Sequence, residues 1–177
     1  MPSRPIAYFK DLVRSIIQKS PLESYAAFFV IDIDDFKHVN DSFGHPVGDE
    51  LLCRLADRIN LISGPDTCFS RFGGDEFVGM LAGFETAADA ETAARQTLMS
   101  LAGTYEVASQ SLAVTISSGI VINRSHAFDL QQMMIKSDLA LYESKVRGKG
   151  ISTLFAEAMD ERYQKRQRLK ADLKKAI

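Results

Sequence analysis

Residues Tyr25 to Ile33 read Tyr-Ala-Ala-Phe-Phe-Val-Ile-Asp-Ile, a run rich in aromatic and β-branched side chains and too short for a core helix. It predicts a buried central strand that delivers Asp32 and Asp34 at its end. Side chains two apart on a strand share a face, so these acids point the same way; one can bind metal while the other holds the following turn. Further on, Arg71 to Phe77 reads Arg-Phe-Gly-Gly-Asp-Glu-Phe. Strands over Thr67–Phe72 and Asp75–Leu81 would flank Gly73-Gly74, a two-residue hairpin turn whose residues both take positive φ. If the second of these strands pairs beside the first run, Asp75 reaches the same end of the sheet, and period two sends Glu76 to the opposite face. Asp75 is then the expected second carboxylate. Mg²⁺ takes one or two carboxylates plus substrate phosphates, and without a cation such clustered acids would raise one another's pKa. Two acid-bearing strand ends make nucleotide chemistry the leading expectation.

The rest of the chain surrounds these segments with helices. Apolar residues at Phe9, Leu12, Val13, Ile16 and Ile17 predict a helix from Pro5 to Lys19. A short helical turn is expected over Phe36–Phe43, broken by Gly44-His45-Pro46, and a core helix over Val47–Ile62 with Leu51, Leu52, Leu55, Ala56 and Ile59 on one face. Glu85–Leu101 repeats small and apolar residues at helical spacing. Tyr105–Ala108 and Leu112–Ile122 read as a second strand pair, Phe128–Lys145 as a helix turning Leu130, Met134, Leu141 and Tyr142 inward, and Ile151–Phe155 as a short edge strand. This order predicts an α+β domain with a mostly antiparallel sheet flanked by helices. From Ala156 the chain becomes a charged helix with a thin apolar stripe (Met159, Tyr163, Leu169, Leu173, Ile177) that reaches the last residue without a cap. Such a stripe suits a connector packing on something outside this chain.

A chain of 177 residues, 46% apolar and 25% charged, fits one globular domain with a proper core. Its formal charge of -2 argues against general attraction to nucleic acid polymers or anionic membrane, which needs clustered positive charge. No run approaches the roughly 20 apolar residues that span a bilayer. Cys53 and Cys68 lack metal-ligand spacing and read as two reduced thiols of a cytoplasmic protein.

Other residues can complete a nucleotide site. Lys37 stands where it can meet phosphate charge. Asn40 and Asp49 can read guanine, since a carboxylate accepts from N1–H and the N2 amino group together while adenine lacks that donor pair. As isolated residues they read more readily as a helix cap and a first-turn acid than as guanine readers.

Asp32-Ile-Asp-Asp-Phe-Lys-His-Val-Asn-Asp, Phe43-Gly-His-Pro-Val-Gly-Asp, Arg71-Phe-Gly-Gly-Asp-Glu-Phe, Val114-Thr-Ile-Ser-Ser-Gly-Ile and Asp138-Leu-Ala-Leu-Tyr-Glu-Ser-Lys together resemble the GGDEF family, the diguanylate cyclases, over Pro2 to Ile151. The resemblance implies a palm-like, ferredoxin-like fold related to class III nucleotide cyclases. It also implies condensation of two GTP into cyclic di-GMP, with release of pyrophosphate, by two domains meeting as a homodimer. Position by position, it implies that Asp32, the Ile33 carbonyl and Asp75 bind Mg²⁺ or Mn²⁺, with Asp75 also the proton acceptor. Lys37 would steady charge on the phosphates; Phe36, Asn40, His45 and Asp49 fall on substrate positions. Lys145 matches a phosphate-binding lysine, and Lys149 stands where the family often has arginine, which keeps charge but loses the bidentate fork.

Departures from the family pattern carry further expectations. Met1-Pro-Ser-Arg resembles the tail of the family's Leu-Thr-Gly-Leu-Pro-Asn-Arg opening, so the chain reads as a trimmed fragment. The inhibitory product site, Arg-x-x-Asp, aligns with Gly64-Pro-Asp-Thr and is absent. Phe155 to Ile177 is similar to the linker that joins GGDEF domains to EAL phosphodiesterase domains. The expected organisation is a cyclase domain over 1–155 and a helical linker over 156–177 toward an EAL domain in cis. The rival expectation is a GTP-binding regulatory module controlling that phosphodiesterase.

Overall fold

In the computed structural model, which describes residues 6–165, the chain runs α1 (Ile6–Lys19), β1 (Tyr25–Ile33), α2 (Phe36–Phe43), α3 (His45–Ile62), β2 (Thr67–Arg71), β3 (Glu76–Phe84), α4 (Ala87–Leu101), β4 (Gly103–Val107), β5 (Gln110–Val114), β6 (Ile116–Arg124), α5 (Leu130–Val146) and β7 (Ser152–Leu154). A helical segment over 158–165 follows. The expectations for Met1-Pro-Ser-Arg and for the stripe at Leu169, Leu173 and Ile177 lie outside the described residues.

β1 is the middle strand of a 5-stranded sheet in the order β2-β3-β1-β6-β7, antiparallel throughout except for the β6–β7 pair. This is the α+β, mostly antiparallel architecture that the alternation of elements predicts. Helices cover both faces of the sheet, which explains the unbroken apolar run of β1. Ala27, Phe29, Ile31 and Ile33 enter a core with Leu51, Leu55, Leu98 and Leu101 of α3 and α4. Ala26, Phe28 and Val30 enter the other, with Phe9 and Val13 of α1 and Met133 and Leu141 of α5. Fully burying side chains of this size contributes about 1.5–3 kcal/mol each. By the same period of two, Asp32 falls on the α1 and α5 side.

α5 approaches the sheet closely because small residues meet there. A Cβ at Gly119 of β6 would lie 1.9 Å from the Ser137 carbonyl oxygen and 2.4 Å from the Leu141 nitrogen. The buried stripe of α5 is Met133, Ser137, Ala140, Leu141 and Ser144, whereas the expected Leu130, Met134 and Tyr142 are only half-buried. Serines are admitted because each hydroxyl is satisfied: Ser137 donates to the Met134 carbonyl, and Ser144 donates to the Ser118 carbonyl and shares a hydrogen bond with the Thr153 hydroxyl.

Two expectations about strands need correction. Leu112–Ile122 is two strands, not one. Among the described residues β5 pairs only with β4, in a separate two-stranded sheet, and the break falls at Thr115, whose carbonyl and hydroxyl are both engaged by Asp34. The diglycine turn is also wider than two residues, because the last β2–β3 pair is Arg71↔Phe77 and the Phe72 amide donates to the Glu76 carbonyl. Neither Gly73 nor Gly74 has positive φ. The turn that does place two residues there is Ala108-Ser109, φ 49° and 64°, between β4 and β5.

Candidate active site at the end of the central strand

Asp32 is the last charged residue within β1, 7% exposed, on the face that α5 covers. Lys145, in the last turn of α5, reaches it with Nζ 2.6 Å from Oδ2. Burial raises the Asp32 carboxyl above its ordinary value. Lys145 opposes that shift, and the neighbouring charges of Asp75 and Asp34 add to it. Asp75 lies in the turn just before β3, half-buried, and its carbonyl accepts weakly from the Ile33 amide at 3.4 Å. The structure thus brings Asp32, Ile33 and Asp75 to one end of the sheet.

Glu76 is not where period two sent it. It is the register partner of Asp32, so both side chains project on the α5 face, and Asp75 escapes the alternation because it belongs to the turn. Burial first, then the charges of Asp32 and Asp138, push the Glu76 carboxyl up. It lines a cleft of about 230 Å³ with Phe72, Asp138, Tyr142 and Lys145.

The turn itself is held by a side chain. Arg71 Nε donates to the Gly73 and Gly74 carbonyls at 3.3 and 3.0 Å, and its Nη2 to Gly74 at 2.7 Å. Nothing among the described residues demands glycine here by crowding: a Cβ at Gly74 meets no atom within 4 Å, and one at Gly73 meets only Glu76 Oε2 at 3.6 Å. Two exposed backbone units without side chains beside an acid suit close approach by a ligand.

Beyond β1 the backbone turns at Asp35 (φ 56°) into α2. The Asp35 carboxylate caps nothing; it accepts from Lys149 Nζ at 2.6 Å, which lowers its own pKa and raises that of Lys149. Phe36 is buried in the core and fixes the first turn of α2, leaving Lys37 exposed and free of ion pairs among the described residues. Asn40 is half-buried, while His45 and Asp49 are exposed on the first turns of α3. Gly48 joins these groups: a Cβ there would lie 1.9 Å from Asn40 Oδ1 and 3.2 Å from Phe36 Cζ. Its missing side chain lets the Asn40 amide lie over the start of α3, next in sequence to Asp49. The sequence carries that signal only as a glycine inside a helix, which costs about 1 kcal/mol relative to alanine unless packing requires it. Arg71, Asp35 and Glu76 are the other participants that motif spacing alone did not single out.

No group of three or more His, Cys, Asp or Glu side chains among the described residues is arranged to hold a metal by itself. The donors at this site are two carboxylates and a carbonyl, too few to enclose an ion but suited to Mg²⁺, which keeps waters and takes its remaining oxygens from phosphates. The donor set fits a cation that arrives with a nucleotide.

The family model for "Diguanylate cyclase, GGDEF domain" matches residues 6–150. The chain belongs to the GGDEF family. The bifunctional diguanylate cyclase/cyclic di-GMP phosphodiesterase MucR of Pseudomonas aeruginosa is 32% identical over 100% of this chain, which spans 26% of MucR's length. A GGDEF-only structure of TpbB (YfiN) from Pseudomonas aeruginosa superposes with TM-score 0.79 at 28% identity, covering 89% of this chain and 93% of that one. An EAL/GGDEF domain protein from M. capsulatus gives 0.68 at 29% identity, over 84% and 97% respectively. As a GGDEF domain, the chain carries the diglycine in the turn that Arg71 clamps, and the domain's acids lie where that turn meets β1.

Proposed function

We propose that this chain is a Mg²⁺-dependent diguanylate cyclase domain that condenses two GTP into cyclic di-GMP and releases pyrophosphate. The observation that carries the reading is the meeting of Asp32 and Asp75 at one end of the sheet, with Lys145 on Asp32 and Lys149 on the adjoining Asp35. Asp32, the Ile33 carbonyl and Asp75 would hold the cation, whose part is to neutralise charge on the triphosphate.

Asn40 and Asp49 would take the guanine edge, with Phe36 and His45 beside them. A guanine-specific pair left unsatisfied by adenine costs about 1–3 kcal/mol, which separates GTP from ATP by roughly ten- to a hundredfold. Lys145 and Lys149 would exchange their carboxylate partners for phosphate oxygens, and Lys37 would steady the charge that grows as pyrophosphate leaves. Asp75 would accept the proton of the 3′-hydroxyl. That oxygen bonds to the α-phosphorus of the other nucleotide, and the bond to pyrophosphate breaks. Each domain presents one GTP, so two copies must meet face to face and turnover is second order in protein.

Residues 156–177 are proposed as the helical link toward a cyclic di-GMP phosphodiesterase domain, the cyclase domain ending at 155. A domain that consumes GTP would work in the cytoplasm. No helix among the described residues is long and apolar enough to cross a membrane. Gly64-Pro-Asp-Thr offers no arginine for product, so feedback inhibition at that position is not expected.

Incubation of GTP and Mg²⁺ with a dimer-enforced form at high protein concentration should yield cyclic di-GMP, and Asp75→Ala should abolish it. GTP binding without any product would replace this reading by the regulatory one.

A further inference from the structure

Asp34 stands at the centre of a buried set of hydrogen bonds. Thr115 Oγ1 donates to its Oδ2 over 2.9 Å, Ser117 Oγ to its Oδ1 over 2.7 Å, and the Gly150 amide to its Oδ2 over 2.8 Å. Its own amide donates to the Thr115 carbonyl at 3.0 Å, and the residue is 8% exposed. Both carboxylate oxygens are engaged by protein donors, which disfavours a cation there.

The Gly150 amide belongs to a loop with unusual backbone. Gly148, Lys149 and Gly150 have φ of 124°, 65° and 63° in succession. For Lys149 the left-handed region crowds its Cβ, and such a conformation persists only where the surroundings fix it. Here the Lys149 amide donates to the Ser144 carbonyl at 3.2 Å on one side. On the other, Gly150 is held by Asp34, with Ser117 Oγ a second acceptor at 3.2 Å.

We infer that Asp34 is a positioning residue for nucleotide binding: by gripping the Gly150 amide it fixes the left-handed turn that carries the Lys149 ammonium over the end of β1. That ammonium then lies 2.6 Å from Asp35 Oδ1, ready to meet a phosphate. The inference rests on the nucleotide reading above. Asp34 acts through Lys149, so its loss weakens binding no further once Lys149 is gone.

The test is the affinity of the full chain for a non-hydrolysable GTP analogue with Mg²⁺, in wild type, Asp34→Asn, Lys149→Ala and the double variant. A lost charge-assisted phosphate contact should weaken each single variant about tenfold, with the double variant within about twofold of Lys149→Ala. Hydrogen exchange at 147–151 should accelerate in Asp34→Asn while the 133–144 stretch of α5 is unchanged. Wild-type affinity in Asp34→Asn, or effects that multiply in the double variant, would overturn the inference. If Asp34→Asn does not fold, Thr115→Val removes one donor instead; it should weaken binding about threefold and be silent beside Lys149→Ala. A multiplied effect there overturns the inference equally. Failure of the wild type to bind the analogue overturns the functional reading. The exchange comparison then still decides Asp34: unchanged exchange at Gly150 removes its hold on the loop, and faster exchange retains it.

Discussion

Lys145 Nζ lies 2.6 Å from Asp32 Oδ2, so the acid at the end of the central strand balances its charge on a lysine from the helix that covers it. The balance is incomplete, because burial still raises the Asp32 carboxyl. An acid raised in this way contributes stability below its ordinary pKa of 3.8 and loses it as pH rises through the folded value. Asp32→Asn should therefore melt above wild type at neutral pH in nucleotide-free buffer, the difference closing below about pH 4, while activity is lost. Melting curves at both pH values check this; a less stable variant at neutral pH would show that the ion pair outweighs burial.

Gly48→Ala places a methyl where the Asn40 amide lies. The clash is with the far end of a flexible side chain, and alanine favours the helix, so the fold should survive. Guanine binding should not: KM for GTP is expected to rise about tenfold with the melting temperature nearly unchanged. Steady-state kinetics beside a melt decide it.

Arg71→Ala frees the Gly73 and Gly74 carbonyls and with them the approach of Asp75 to β1. A fall in kcat of about tenfold or more is expected. Arg71→Lys should recover little of it, since an ammonium cannot fork between two carbonyls. Recovery of wild-type kcat by lysine would mean that charge alone matters.

Gly119→Ala meets backbone rather than side chain, at 1.9 Å from the Ser137 carbonyl oxygen. Helix α5 would have to move off the sheet, taking Lys145 with it. Chemical denaturation should register a loss of about 3 kcal/mol or more.

The strand carrying Asp32 was legible because its apolar run has one structural meaning at that length, and the short helix over Phe36–Phe43 was bounded by Gly44. Local pattern failed where a distant group decides. Alternation continues through Thr115, but Asp34, far off in sequence, takes that residue's carbonyl and hydroxyl and ends the strand. Gly73-Gly74 reads as a tight turn by composition, yet Arg71 holds it open as a wider one, while Ala108-Ser109 turns tightly with neither glycine nor asparagine. Alternation counted from Asp75 puts Glu76 on the wrong face, because Asp75 lies outside the strand. Ser137 and Ser144 are not among the inward residues that apolar spacing names on α5, and only the contact with Gly119 shows why its buried face must be small. Motif spacing brought the charged candidates together; it could not show that Lys145 and Lys149 rest on Asp32 and Asp35.

The proposed function requires Asp32 and Asp75 to share one cation with a bound guanine nucleotide. Mn²⁺ binding, followed by electron paramagnetic resonance with a non-hydrolysable GTP analogue, tests it most directly. Protein-bound Mn²⁺ is expected only when the analogue is present, and its loss is expected in Asp32→Asn and in Asp75→Asn alike. Mn²⁺ retained with the analogue after both substitutions together would contradict it.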